Sequence, residues 1–75
     1  MTPAQCRAAR GLIGMTQTDL ATAATLGQST VIDFERERRA VAQPSIDVIR
    51  AALEAAGVVF LSENGNGPGV ALRKE

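Results

Sequence analysis

Residues 16–36 have the sequence TQTDLATAATLGQSTVIDFER, in which two short amphipathic segments flank a turn. The first segment carries its small apolar residues at the spacing of one helix face: Leu20, Ala21 and Ala24. The second segment does the same with Val31 and Phe34, and Thr25-Leu26-Gly27 lies between them. The pattern therefore predicts two short helices joined by a tight turn, the second over roughly residues 28–36.

Helix-start signals place a further helix before this stretch. Thr2 is a good N-cap, Pro3 suits the first helical position, and Gln5 completes a capping-box pattern for a helix over residues 3–13 that Gly14 ends. Thr16 and Asp19 repeat the capping-box pattern at the start of the next helix.

Apolar spacing resumes after a loop predicted at residues 37–44. We expect Ser45 to cap a fourth helix that Gly57 ends. Its predicted inner face consists of Ile46, Ile49, Ala52, Leu53 and Ala56.

The last part of the chain changes to strand-forming residues. Two apolar runs, at residues 58–61 and 70–73, flank the turn-rich segment at residues 63–69 and predict a C-terminal β-hairpin. We therefore expect a helix-turn-helix domain over residues 1–57 and a hairpin over residues 58–75. The hairpin either caps the helical core or pairs with a second copy, and we favour pairing because it would cover an exposed edge. The expected dimerisation residues are Val58, Val59, Phe60, Leu61, Val70 and Leu72.

Composition limits the class of protein. The chain has 75 residues with 45% hydrophobic residues, enough for one modest core, and a formal net charge of zero. Because Cys6 is the lone cysteine and histidine is absent, we expect neither a disulfide nor a metal site, and no cofactor. We see no signal-peptide pattern and no membrane-spanning apolar run, which predicts a cytoplasmic protein. The missing histidine and the position of the Gly-rich segment between strands argue against an enzyme.

The chain resembles the Cro/C1 (Xre) family of helix-turn-helix domains over residues 1–58. The matching residues are Arg10, Gln17, Leu20, Ala21, Ala24, Leu26, Ser29, Thr30, Val31, Phe34, Glu35, Leu53, Gly57 and Val58. Two positions depart from the family pattern: Thr25 stands where a turn glycine is usual, and Gly27 where a Ser or Thr cap is usual. The resemblance implies a mainly α, four-helix domain that binds double-stranded operator DNA as a homodimer and acts as a repressor or autoregulator.

The resemblance also assigns roles by position. Base contacts fall on the start of the third helix, at Gln28, Ser29 and Asp33. Ile32 lies beside these positions and off the core stripe, which suits contact with thymine methyl groups, contact with a protein partner, or partial burial against the loop. Phosphate contacts fall on short polar residues and on the basic loop: Thr16, Gln17, Thr18, Thr30, Arg36, Arg38 and Arg39. Arg10 and Glu35 match a buried ion pair that links the first and third helices.

Each of these roles has a plainer alternative. Polar residues are common at helix starts, the arginine cluster fits a solvated loop, and Asp33 fits an exposed acid. The neutral net charge is unusual for a DNA-binding protein and, with Asp33, fits a helix-turn-helix module that binds a protein partner instead. Cys6 fits a small apolar core residue.

Overall fold

Four helices are followed by a two-stranded antiparallel hairpin in the structure, a computed structural model that describes residues 1–62, 65 and 67–73. The elements are α1 Pro3–Ile13, α2 Gln17–Ala24, α3 Gln28–Glu35, α4 Gln43–Ala55, β1 Val58–Leu61 and β2 Gly69–Leu72. The predicted fold class, mainly α with a C-terminal hairpin, is confirmed.

The first two helices begin with the capping boxes that the sequence predicts. At α1, the Thr2 backbone N–H donates to Gln5 Oε1 (2.8 Å), and the Gln5 N–H donates to Thr2 Oγ1 (3.1 Å). At α2, Thr16 and Asp19 make the same exchange at 3.1 and 3.0 Å. Two otherwise unpaired N–H groups are satisfied at each helix start.

Helix α2 ends in a left-handed residue that is not glycine. Thr25 has φ +58°, and the N–H of the next residue, Leu26, donates to Ala21 O at 2.8 Å. The Thr25 N–H donates to Thr22 O at 3.1 Å, so the two bonds form a Schellman motif. This motif turns the chain sharply between α2 and α3, and the conformation is strained for a β-branched residue.

Helix α4 begins earlier than predicted, and Ser45 is not its N-cap. Ala42 occupies the N-cap, Gln43 is the first helical residue, and Pro44 lies within the first turn. Proline is tolerated there because the first N–H groups of a helix have no intrahelical partner. At the other end, Ala56 is exposed rather than on the inner face, because α4 stops at Ala55.

All four helices and the first strand contribute to one apolar core. The buried hydrophobic residues are Cys6, Ala9, Leu20, Ala21, Ala24, Val31, Phe34, Ile49, Leu53 and Val58. Most are aliphatic and several are alanines, which allows the short helices to approach closely. Among the described residues, no helix is long and apolar enough to cross a membrane.

The hairpin is fastened to α1 by a buried amide. Gln5, only 7% exposed, donates through Nε2 to Leu61 O (3.3 Å) and to Gly69 O (3.0 Å). The register pairs Val58 with Leu72 and Phe60 with Val70. Strand β2 begins one residue earlier than predicted, and the predicted turn residues Glu63, Asn64 and Asn66 lie outside the described residues.

Candidate nucleic-acid interface

Helix α3 presents its first turn to solvent. Gln28 and Ser29 are exposed, whereas Val31 and Phe34 on the opposite side are buried in the core. Ile32, one turn after Gln28, is half-buried. The core residues thus hold α3 so that the predicted base-contacting end of the helix projects from the surface.

A bidentate ion pair fixes α3 to α1. Arg10 Nε lies 2.6 Å from Glu35 Oε2, and Arg10 Nη2 lies 2.7 Å from Glu35 Oε1. The Glu35 side chain is 1% exposed and that of Arg10 is 20% exposed. The two residues that the family resemblance pairs are therefore in contact, and they join the first helix to the end of the third.

Two further side chains donate to the same carboxylate. Cys6 Sγ donates to Glu35 Oε2 at 3.1 Å, and Gln17 Nε2 donates to Glu35 Oε1 at 3.1 Å. In addition, Arg7 donates to the backbone carbonyl of Glu35. Sequence reasoning missed these contacts because Cys6 suited an apolar core position and Gln17 suited a phosphate contact. The only signal in the sequence for these contacts was that Cys6 on α1 and Gln17 on α2 both carry a polar hydrogen that could reach a glutamate at the end of α3.

The buried network changes the ionisation of its members. Burial alone raises the pKa of Glu35, but hydrogen bonds from Arg10, Cys6 and Gln17 outweigh it, so the pKa lies below the ordinary value of 4.5. Burial, together with the hydrogen bond to Glu35, raises the pKa of the Cys6 thiol. Cys6 therefore stays protonated near neutral pH and acts as a donor to a charged carboxylate.

The predicted phosphate-contacting residues at the start of α2 are partly engaged within the protein. Thr16 Oγ1 accepts the Asp19 N–H, and the Gln17 amide bonds Glu35. Thr18 is exposed, and Thr30, on α3, is half-buried. The Thr16 hydroxyl proton and the second N–H of the Gln17 amide are not used by these bonds. A phosphate at this helix start would therefore find side-chain donors beside the backbone N–H groups of Gln17 and Thr18.

The basic loop that follows α3 is exposed. Arg36 ends the helix as its C-cap, and Arg38 follows two residues later. Within the described part of the chain, neither of these two side chains has an ion-pair partner. Arg39 differs, because its Nε lies 2.9 Å from Asp33 Oδ2. The structure thus joins one residue predicted to contact a base with one predicted to contact phosphate.

The predicted dimerisation residues divide into a buried and an exposed set, and exposed Leu72 lies on the same face of the hairpin as buried Val58, with which it pairs. Val58 is buried, and Phe60 and Val70 are half-buried against the core. The guanidinium of Arg50 lies over the Phe60 ring in a cation–π contact, with Arg50 Cζ 4.9 Å from the ring centroid. Three of the predicted residues remain exposed: Val59 at 38%, Leu61 at 46% and Leu72 at 51%.

Among the described residues, no three of His, Cys, Asp and Glu are grouped as a metal ion would require.

Comparison with known proteins gives the family. A family model described as helix-turn-helix (HTH_3) matches residues 7–59, more than two thirds of the chain. No curated protein gives a significant match. The matched residues run from the middle of α1 to the second residue of β1 and include the whole α2–turn–α3 unit with its Arg10–Glu35 pair. HTH_3 is a family of DNA-binding regulatory domains rather than of enzymes. The chain therefore belongs to the Cro/C1-type helix-turn-helix family of DNA-binding regulators.

Proposed function

We propose that the protein is a homodimeric transcriptional repressor or autoregulator that inserts α3 into the major groove of a palindromic operator. The observation that carries the proposal is the exposed first turn of α3 on a helix whose other side is buried. In helix-turn-helix proteins the second helix of the unit enters the major groove, and its N-terminal residues contact base edges.

Gln28 and Ser29 are the proposed base-contacting residues of that turn. Both side chains are exposed. A glutamine amide pairs with the N6 and N7 edge of adenine, and a serine hydroxyl donates to or accepts from either base type. Ile32 is half-buried beside them, and its exposed part suits contact with a thymine methyl group.

Phosphate contacts would then come from the start of α2 and from the loop that follows α3. At the start of α2, the Gln17 and Thr18 N–H groups and the Thr16 hydroxyl suit a phosphate oxygen, and Thr30 on α3 offers a further hydroxyl. The exposed side chains of Arg36 and Arg38 follow α3. DNA binding depends on the charges near the DNA rather than on the sum over the chain, and the exposed arginines at 36 and 38 outnumber the exposed Glu37 between them.

The hairpin is the proposed dimer contact. Val59 and Leu61 alternate on the strand face opposite Val58 and Phe60, and both are exposed. A second copy would cover this apolar face. To bind a palindromic operator, such a two-fold dimer would need its two recognition helices about 34 Å apart, one helical turn of DNA.

Substitution of the exposed face tests the dimer. Val59→Glu combined with Leu61→Glu is expected to give a monomer by light scattering. Leu12→Glu, at an exposed leucine of α1, is the matched control and should leave the dimer intact. A wild-type protein that is monomeric at micromolar concentration, or a double variant that remains dimeric, would contradict the proposed contact.

Selection from a random duplex pool tests the DNA-binding function. The wild-type protein should enrich a palindromic sequence and bind it tightly, with affinity falling steeply between two salt concentrations. Gln28→Ala should weaken binding to that sequence by about 1–3 kcal/mol and leave the circular dichroism spectrum unchanged. If no sequence is enriched and binding is insensitive to salt, the alternative is a protein-binding module, which the neutral net charge also fits.

A further inference from the structure

Asp33 and Arg39 form an ion pair on the exposed side of the recognition helix. Asp33 follows Ser29 by four residues, so both lie on the same face of α3. The Asp33 side chain is 21% exposed and that of Arg39 is 52% exposed, with 2.9 Å between Arg39 Nε and Asp33 Oδ2. A guanidinium therefore stands beside the proposed base-contacting turn, although Arg39 belongs to the loop.

The backbone conformation after α3 explains why the loop brings Arg39 back to Asp33. Glu37 has φ +54°, and the Arg38 N–H donates to Asp33 O at 3.0 Å while the Glu37 N–H donates to Phe34 O at 3.3 Å. These two bonds form a second Schellman motif, which reverses the chain at the end of α3. The next side chain, Arg39, is thereby directed back toward Asp33.

The ion pair leaves donors of Arg39 available. An arginine side chain has five N–H donors, and the Asp33 carboxylate is contacted through Nε. Within the described part of the chain, Asp33 is the only hydrogen-bond partner of the Arg39 side chain. The two terminal amino groups can therefore make the paired contact with guanine O6 and N7 that arginine makes in the major groove.

Charge favours a base over a phosphate at this position. The carboxylate next to Arg39 makes the pair neutral, so it attracts a phosphate much less than Arg36 or Arg38 does. A guanine edge is a neutral acceptor and is not repelled by Asp33. An unpaired Asp33 would disfavour DNA, whereas the paired carboxylate holds an arginine in place.

We infer that Arg39 contacts a guanine in each half-site of the operator and that Asp33 is a positioning residue for Arg39. This inference rests on the proposed DNA-binding function. The sequence predicted that Asp33 contacts a base and that Arg39 contacts a phosphate. In the present inference, Arg39 contacts the base and Asp33 only positions Arg39.

The experiment repeats the random-duplex selection with the wild-type protein, Arg39→Ala and the matched control Arg38→Ala. The wild type should select guanine at one position of each half-site. Arg39→Ala should lose about tenfold or more of the preference for that guanine, measured as the ratio of affinities for duplexes with and without it, because the unpaired Asp33 lowers the affinity for both duplexes alike. Arg38→Ala should select the same sequence as the wild type but show a salt dependence smaller by about one phosphate contact.

Asp33→Ala separates positioning from a direct contact. It should reduce the guanine preference in the wild-type background and have no effect on that preference in the Arg39→Ala background. Circular dichroism should show all variants folded, because the bonds that reverse the chain are between backbone groups.

Three outcomes would overturn the inference. The first is an Arg39→Ala variant that keeps the guanine preference, and the second is one that weakens binding to every sequence equally with a smaller salt dependence, as loss of a phosphate contact does. The third is an Asp33→Ala substitution that changes the guanine preference equally in both backgrounds. A wild-type protein that selects no sequence refutes the proposed function itself, whereas a selected sequence that Arg39→Ala leaves unchanged refutes only the role of Arg39.

Discussion

Arg10 holds both carboxylate oxygens of Glu35, with Nε 2.6 Å from Oε2 and Nη2 2.7 Å from Oε1. The pair joins α1 to α3, and the Glu35 side chain is almost completely buried. Because a buried charge without its partner is costly, this contact has a larger effect on folding than an ion pair on the surface.

Arg10→Ala is expected to lower the free energy of unfolding by about 3 kcal/mol or more, because Glu35 would keep a buried charge with only neutral donors. Urea unfolding measures the change. The matched control is Glu54→Ala, which removes an exposed ion pair with Arg50 and should cost at most about 1 kcal/mol. If the two variants lost equal free energy of unfolding, the buried pair would stabilise the fold no more than the exposed pair does.

Glu35 should make the stability depend on acid pH. Its pKa in the folded state is below the ordinary value of 4.5 that it recovers on unfolding. Its contribution is therefore complete above that value and is lost as the pH falls through the lower, folded pKa. Glu35→Gln should therefore be less stable than the wild type at pH 7, and the difference should shrink as the pH is lowered below about 4. Urea titrations at several pH values measure both proteins. A difference that is constant with pH would contradict the assignment.

Thr25→Gly is expected to raise the free energy of unfolding by up to about 1 kcal/mol. Glycine adopts the positive φ of this position without the strain that a β-branched residue experiences, although part of the gain is lost because glycine makes the unfolded chain more flexible. Thr22→Gly, within α2, is the control and should destabilise the protein by a few tenths of a kcal/mol. Thermal unfolding of both variants gives the comparison, and a loss of stability in Thr25→Gly would contradict the strain.

Gln5 should affect the hairpin specifically, and two substitutions separate its two roles. Gln5→Glu retains the oxygen that accepts the Thr2 N–H but turns the donor to Leu61 O and Gly69 O into an acceptor. Gln5→Ala removes both. We expect Gln5→Ala to cost about 1–3 kcal/mol and Gln5→Glu to cost more, because a carboxylate would face two carbonyl oxygens.

Hydrogen exchange locates the effect of the Gln5 variants. Amide protons of the two strands should exchange faster in both, relative to those of α2 and α3. Gln43→Ala, which removes an exposed bond to Asp47, is the control and should leave the strand protons unchanged. If Gln5→Glu were as stable as the wild type, the bonds to the hairpin carbonyls would contribute nothing.

Local signals in the sequence were sufficient for most of the fold. The capping boxes at Thr2 and Thr16 and the apolar spacing of α2 and α3 placed three helices to within a residue. The start of α4 was misplaced because Ser45 is a strong cap type, whereas the structure uses Ala42, which contributes no side-chain hydrogen bond. A cap without a side-chain bond leaves little trace in a single sequence.

The site was less accessible to sequence reasoning, because its contacts join residues far apart in the chain. Resemblance to a family supplied the Arg10–Glu35 pair, but nothing local indicated that Cys6 and Gln17 also donate to Glu35. The Asp33–Arg39 contact depends on the left-handed conformation of Glu37, and glutamate is not a residue type that predicts it. Long-range pairs and unusual backbone angles of this kind follow from the packed structure rather than from local propensity.

Cys6 provides a probe of opening motions that needs no introduced label. It is the one thiol in the chain, and it is fully buried between α1 and α3 with its proton directed at Glu35. A thiol reagent reacts with the thiolate, which forms only when these helices separate and release the sulfur to solvent. The rate of modification under native conditions, compared with that of the unfolded chain, therefore measures the free energy needed to expose this interface. Adding operator DNA to the same reaction would show how strongly bound DNA slows the separation of the reading helix from its support.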